Sequence, residues 1–183
     1  ETGGLNAAFV DTSAQREQVL DDVMLSAFGS AGQRCSALRL LFLPHETADQ
    51  TIEGLKGAMA TLVVGNPACP KTDVGPVIDA EARDGLERHL ERLAREAKIL
   101  HRLPAPATGT FFAPVLAEIA SAQFLTREVF GPILHVVRYD PRQAETVARD
   151  FAGNGYGLTL GIHSRVESFA ETIRRAVPAG NTY

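Results

Sequence analysis

Leu38-Arg-Leu-Leu-Phe-Leu43, closed by Pro44, is the stretch on which the fold turns. It is dense in apolar residues, short, and ends on a residue that cannot donate to a ladder, so it reads as a buried strand. Upstream, Ala7 to Asp11 (AAFVD) is a second short apolar run, ending in Asp11-Thr12-Ser13, a good helix N-cap region. After it Val19, Leu20, Val23, Met24, Ala27 and Phe28 fall on one helical face. Downstream, the spacing predicts a helix over His45 to Leu62 and another between Asp79 and Lys98, where Leu86, Leu90, Leu93 and Ala97 form the stripe. Glu91/Arg95 and Arg92/Glu96 are available as i,i+4 pairs on its wet side. Further strands are expected at Ile99 to Leu103, Phe112 to Ile119, Ile133 to Tyr139 and Leu158 to His163, with helices at Pro141 to Ala152 and Val166 to Val177. Such alternation implies an α/β fold: a mainly parallel sheet covered by helices.

Composition sets the outer limits. A chain of 183 residues is about one domain, and 45% apolar with 22% charged residues is ordinary for a globular protein, which argues against disorder, collagen and coiled coil. No apolar stretch approaches the ~18 residues of a membrane helix and no signal peptide is evident, so a soluble, cytoplasmic protein is expected, with membrane association only through other parts of a longer chain. With 18 basic against 22 acidic residues and no evident basic face, nucleic acid is a poor partner. Cys35 and Cys69 are 34 positions apart (69 − 35) without a CxxC or Cys/His pattern, which argues against a zinc site and a disulfide framework. The chain opens on Glu1 rather than Met and stops at Asn181-Thr182-Tyr183, where a strand would be starting, so a piece of a longer protein is expected.

Four segments could carry chemistry. Gly29-Ser-Ala-Gly-Gln-Arg-Cys-Ser36 is a loop of small residues that delivers Cys35 between a helix and a buried strand, with Arg34 available to favour a thiolate. A cysteine taken alone is more often a small buried hydrophobe, and Cys69, without a glycine cradle, keeps that reading. Glu1-Thr-Gly-Gly4 sets a carboxylate before two glycines; by itself it is only a turn. Glu128-Val-Phe-Gly-Pro132 leads into a strand, where Phe130 could simply pack. Gly65-Asn-Pro67 and Thr72-Asp-Val-Gly-Pro76 form a loop pair without a phosphate-binding glycine pattern.

Taken together and in this order, with Tyr156-Gly-Leu158 after them, these segments closely resemble the aldehyde dehydrogenase superfamily from end to end. The 34-residue separation of Glu1 from Cys35 (35 − 1) is similar to that family's spacing of general base and nucleophile. Within it, Ser-Ala-Gly-Gln-Arg-Cys-Ser-Ala-Leu-Arg39, Thr72-Asp-Val-Gly-Pro-Val-Ile-Asp-Ala80 and Leu158-Thr-Leu-Gly-Ile-His-Ser-Arg165 look most like the glutamate semialdehyde (pyrroline-5-carboxylate) dehydrogenase portion of bifunctional proline utilization A proteins.

The resemblance implies a three-layer α/β catalytic domain and an NAD-dependent oxidation of L-glutamate γ-semialdehyde in proline catabolism. It implies Cys35 as nucleophile and Glu1 as general base for thioester hydrolysis. Glu128 would meet the nicotinamide ribose hydroxyls, Phe130 would pack near the nicotinamide, and Ser36 would help orient the substrate. No metal is implied. In the family the Rossmann NAD-binding part precedes the general-base segment, and a substrate-anchoring loop and a dimerisation strand follow Asn181-Thr182-Tyr183. Residues 1–183 are therefore expected to be a catalytic-domain fragment that alone does not bind NAD tightly, from a parent that forms a homo-oligomer. Two other readings stand beside this one: a non-catalytic aldehyde dehydrogenase-like domain with a structural or oligomerisation role, and a generic α/β ligand-binding module.

Overall fold

The computed structural model describes residues 3–183. Seven strands form one sheet: β1 (Asn6–Val10), β2 (Leu38–Pro44), β3 (Lys98–Arg102), β4 (Val115–Glu118), β5 (Ile133–Tyr139), β6 (Thr159–His163) and β7 (Asn181–Thr182). Their order is β3-β4-β5-β2-β1-β6-β7, and every pairing is parallel except β3 with β4. Five helices cover it: α1 (Arg16–Phe28), α2 (His45–Met59), α3 (Ala80–Glu96), α4 (Ala144–Ala152) and α5 (Glu167–Ala176).

Three layers follow from the period-two alternation of the central strands. Ala7 and Phe9 of β1, with Leu40 and Phe42 of β2, face the core shared with Leu86, Leu90 and Leu93 of α3, Phe151 of α4 and Ile173 of α5. Ala8 and Val10, with Leu41 and Leu43, face the other core, built with Val19 and Val23 of α1 and Ile52, Leu55 and Met59 of α2. Because both faces of these strands are buried, they read as apolar runs rather than alternating ones. Phe9 and Phe42 stack at 4.2 Å between ring centroids, and Phe151 meets both edge-on at 6.2 and 5.7 Å.

The differences from expectation lie at the ends of elements. Of the expected strand Phe112 to Ile119, Val115–Glu118 forms β4, with Pro114, which has no N–H to give the ladder, just before it; Phe112 is nonetheless fully buried. Pro141–Gln143 forms a 3-10 turn before α4, capped by Asp140, which accepts from Arg142 N–H. The expected helix over His45 to Leu62 stops at Met59. Asp79 caps α3 by accepting from Ala82 N–H at 2.8 Å. The terminal strand expected at Asn181 forms β7 alongside β6.

One irregularity positions the site. Asn6 opposes Leu38 but Ala7 opposes Leu40, so Arg39 is an extra residue at the start of β2. Leu38 consequently faces the α1/α2 core, whereas Leu40 faces the opposite one. A bulge of this kind redirects a side chain out of the pleat.

Candidate functional site

The segments singled out in the sequence converge at the amino ends of the parallel strands. Gly3 and Gly4 precede β1, the cysteine loop precedes β2, Glu128 to Pro132 precede β5, and Tyr156 to Leu158 precede β6. Ligands of open α/β sheets usually bind at the carboxyl ends, so this placement does not follow from the fold class.

The cysteine loop is a strained turn held on several sides. Ser30, Ala31 and Gly32 have φ of 56°, 53° and 65°, three consecutive residues in the left-handed region. At Gly32 a Cβ would also overlap the Gly131 carbonyl, so glycine is required for both conformation and space. A Cβ at Gly4 would lie 2.7 Å from the Cys35 carbonyl oxygen. Asn6 Nδ2 donates to the Cys35 and Ala37 carbonyls at 2.7 and 2.9 Å, and its Oδ1 accepts from Thr159 N–H at 3.1 Å. Gln33 accepts from Ile78 N–H at 2.8 Å and donates to the Pro76 carbonyl at 3.2 Å, fastening the Thr72 to Pro76 segment to the loop. Held this way, Cys35 is exposed, unlike the buried small hydrophobe a lone cysteine would ordinarily be, while Cys69 is half-buried.

The structure brings Cys35, Glu128 and Phe130 to one end of the molecule through Arg39. Its guanidinium, fully buried, donates to Glu128 Oε1 at 3.3 Å, to the Gly131 carbonyl at 3.2 Å and to the Arg34 carbonyl at 3.2 Å. Burial holds Arg39 below its ordinary pKa, opposed by the charges of Glu128 and, to a lesser extent, Cys35. Arg34, expected to favour the thiolate, instead directs a guanidinium N–H at the Leu25 carbonyl, 3.0 Å away. Phe130 does not simply pack: it is 43% exposed, with Arg39 Cζ 5.4 Å from its ring centroid, whereas neighbouring Val129 is buried.

Two grooves open near these segments, one of them beside the cysteine loop. One, of about 380 Å³, runs between α3 and the 125–130 segment and is lined by Leu86, His89, Arg92, Arg127, Glu128 and Phe130. The other, of about 510 Å³, is lined by Asn6, Arg34, Ser36, Thr159, His163 and Tyr183 among others. The residues expected to meet a cofactor and the residue expected to meet a substrate thus lie in different grooves. Glu1 lies outside the described residues. Among the described residues no cluster of three or more His, Cys, Asp or Glu could hold a metal ion, and no helix is long and apolar enough to cross a membrane.

Arg39, Asn6 and Gln33 were not singled out in the sequence. The signal was present for two of them: an arginine inside an apolar strand and an asparagine at the start of another are polar groups that must find partners once buried. Gln33 carries no such signal, since its partners come from a loop more than forty residues away.

The aldehyde dehydrogenase family model matches residues 1–183. The chain is 44% identical to the bifunctional protein PutA of Klebsiella aerogenes, over all of this chain and 15% of that protein. It is 32% identical to a 1-pyrroline-5-carboxylate dehydrogenase of Geobacillus kaustophilus, over all of this chain and 36% of that protein. A crystal structure of a proline utilization A (PutA) variant from Bradyrhizobium japonicum superposes with a TM-score of 0.97 at 52% identity, covering all of this chain and 19% of that one. The chain thus spans well under half the length of these relatives. A match over every residue, on a fold that superposes along its whole length, establishes that this chain belongs to the aldehyde dehydrogenase family.

Proposed function

We propose that the protein carrying this chain oxidises L-glutamate γ-semialdehyde to glutamate with NAD+, as a step of proline catabolism in the cytoplasm. The observation that carries the reading is an exposed cysteine on a loop that Arg39 ties to Glu128, with Glu128 and the exposed Phe130 ring lining one groove and Ser36 lining another. The names of the PutA and 1-pyrroline-5-carboxylate dehydrogenase relatives support the substrate class.

Cys35, as thiolate, attacks the aldehyde carbon and forms a C–S bond, leaving the carbonyl oxygen as an oxyanion. Among the described residues nothing accepts a hydrogen bond from Cys35 N–H, which leaves that donor for the oxyanion. Glu128 and Phe130 would hold the nicotinamide end of NAD+, which would supply the hydride acceptor for this carbon; the acyl group then stays on Cys35 as a thioester. Glu1 then draws a proton from the water that attacks the thioester, releasing the carboxylate product and the thiol. Ser36 orients the substrate from its own groove.

Glu128 and Phe130 fit the nicotinamide end of the cofactor. Glu128 Oε1 accepts from Arg39, and Oε2 lies 3.0 Å from where a Gly3 Cβ would stand, so a side chain at position 3 would crowd that oxygen. A carboxylate beside an exposed ring offers an acceptor for sugar hydroxyls and an apolar wall. The remainder of the nucleotide site, with its Rossmann part, belongs to sequence outside these 183 residues, as does the strand through which the parent forms a homo-oligomer. Steady-state assays of the full-length protein test the reading: glutamate semialdehyde should be preferred over simple aliphatic aldehydes, and the opposite preference would refute the substrate.

A further inference from the structure

Arg39 is the one fully buried cation among the described residues. For stability alone the position would do as well with an apolar side chain, because exchanging a buried ion pair for well-packed hydrophobic groups is often neutral or favourable. The guanidinium bonds the two segments that matter for the chemistry. It reaches the carbonyl of Arg34, the residue before Cys35, and both Glu128 and Gly131, on either side of Phe130. A planar fork reaches these acceptors from two separate nitrogens, Nη1 to Gly131 and Nη2 to Arg34 and Glu128, whereas an ammonium has one nitrogen to hold all three.

The two imidazoles behind it carry no charge at neutral pH, and the other nearby cations are arginines directed elsewhere or lining the neighbouring groove. On β5, His135 is fully buried, and its Nδ1 lies 3.0 Å from the Arg39 carbonyl oxygen. That oxygen only accepts, so Nδ1 holds the proton, and Nε2 accepts from His89 Nε2–H of α3 at 2.9 Å. Burial keeps both imidazoles neutral, at about 3 for His135 and about 4 for His89. Arg34 is directed at Leu25 on α1, and Arg92 and Arg127 line the groove beyond His89.

We propose that Arg39 is the positioning residue of this site: one buried guanidinium joins the cysteine loop, at the carbonyl next to Cys35, to the Glu128–Gly131 segment and places a positive charge between them. The proposal rests on the roles given above to Cys35 and Glu128. Losing the cation therefore removes an attraction for the negative charge of a reacting sulfur on the adjoining loop, whereas neutralising Glu128 removes an opposing charge and strengthens it.

The test uses the full-length protein without cofactor, following alkylation of Cys35 by iodoacetamide at neutral pH with peptide mapping, and separately NAD+ affinity by calorimetry. Arg39→Met should slow alkylation roughly threefold or more and weaken NAD+ binding about tenfold. Arg39→Lys, which keeps the charge but not the fork, should restore alkylation to within about twofold of wild type while NAD+ binding stays weak. Glu128→Gln should speed alkylation. Opposite signs for Arg39→Met and Glu128→Gln are what a merely structural role would not produce. Unchanged alkylation in both, or a shift of both in one direction, overturns the proposal. Should Arg39→Met fail to fold, Glu128→Gln decides alone, and unchanged or slower alkylation there overturns it. The underlying reading is checked apart from this: a Cys35→Ala variant that still oxidises the semialdehyde would sink the assignment of the nucleophile, whatever Arg39 does.

Discussion

Asn6 holds the Cys35 carbonyl at 2.7 Å through Nδ2 while its Oδ1 takes the Thr159 N–H at 3.1 Å. One buried amide at the start of β1 thereby joins the cysteine loop to the start of β6, and all of its bonds go to backbone. The loop geometry depends on this side chain as much as on the glycines beside it.

Replacing Asn6 by Leu should cost about 1 to 3 kcal/mol, since three backbone groups lose their partner in the interior. Urea unfolding measures this, and a loss under half a kcal/mol would show that the neighbourhood can rearrange around an apolar side chain. Asn6→Asp should be worse than neutral as well, because a carboxylate cannot donate to the Cys35 and Ala37 carbonyls.

Gly32→Ala should be more damaging to activity than its size suggests. The position has φ +65° and sits against the Gly131 carbonyl, so the methyl must move either the cysteine loop or the segment entering β5. A loss of at least about 2 kcal/mol is expected from strain of this sort. Thermal unfolding together with turnover checks it; wild-type values of both would mean the loop is softer than its dihedral angles imply.

Cys35 and Glu1 should fail at different steps. On the proposed roles, Cys35→Ala removes the sulfur that would bond the substrate carbon, so no NADH should form. Glu1→Gln should permit one rapid turnover of NADH and then a slow steady state limited by hydrolysis. Stopped-flow absorbance distinguishes them, and loss of the burst in both would reassign Glu1 to activating the thiol.

Acid should destabilise this fold through its paired imidazoles. Their folded pKa values, about 4 for His89 and about 3 for His135, lie below the unfolded value of 6.5, so the unfolded chain binds more protons wherever these groups differ. Stability is complete above about pH 6.5 and falls as pH drops below it, levelling only once the folded-state values are passed. His163, also depressed by burial, contributes in the same direction. Urea midpoints between neutral pH and about pH 4.5 should therefore fall steeply in the wild type and less so in the double variant His89→Phe, His135→Leu. Equal slopes would place the acid sensitivity elsewhere.

The order of strands and helices, their buried stripes and a mainly parallel sheet covered by helices were legible in the chain, because helix and strand periodicities are local properties of consecutive residues; the three-layer class was implied by the family resemblance. Leu86, Leu90 and Leu93 mark α3 without reference to anything outside it, and the order of the motifs pointed to the family and to Cys35, Glu128, Phe130 and Ser36. Only the tertiary structure decided that β3 runs antiparallel at the sheet edge, that the site lies at the amino ends of the strands, and that Ser36 opens into a different groove from Glu128. Above all it decided the place of Arg39, whose partner Glu128 is 89 residues away and whose direction is set by a one-residue slip in pairing with β1. Periodicity within a segment cannot specify a partner in another; the burial of a charge that must be satisfied makes that choice, and it is made only when the strands assemble.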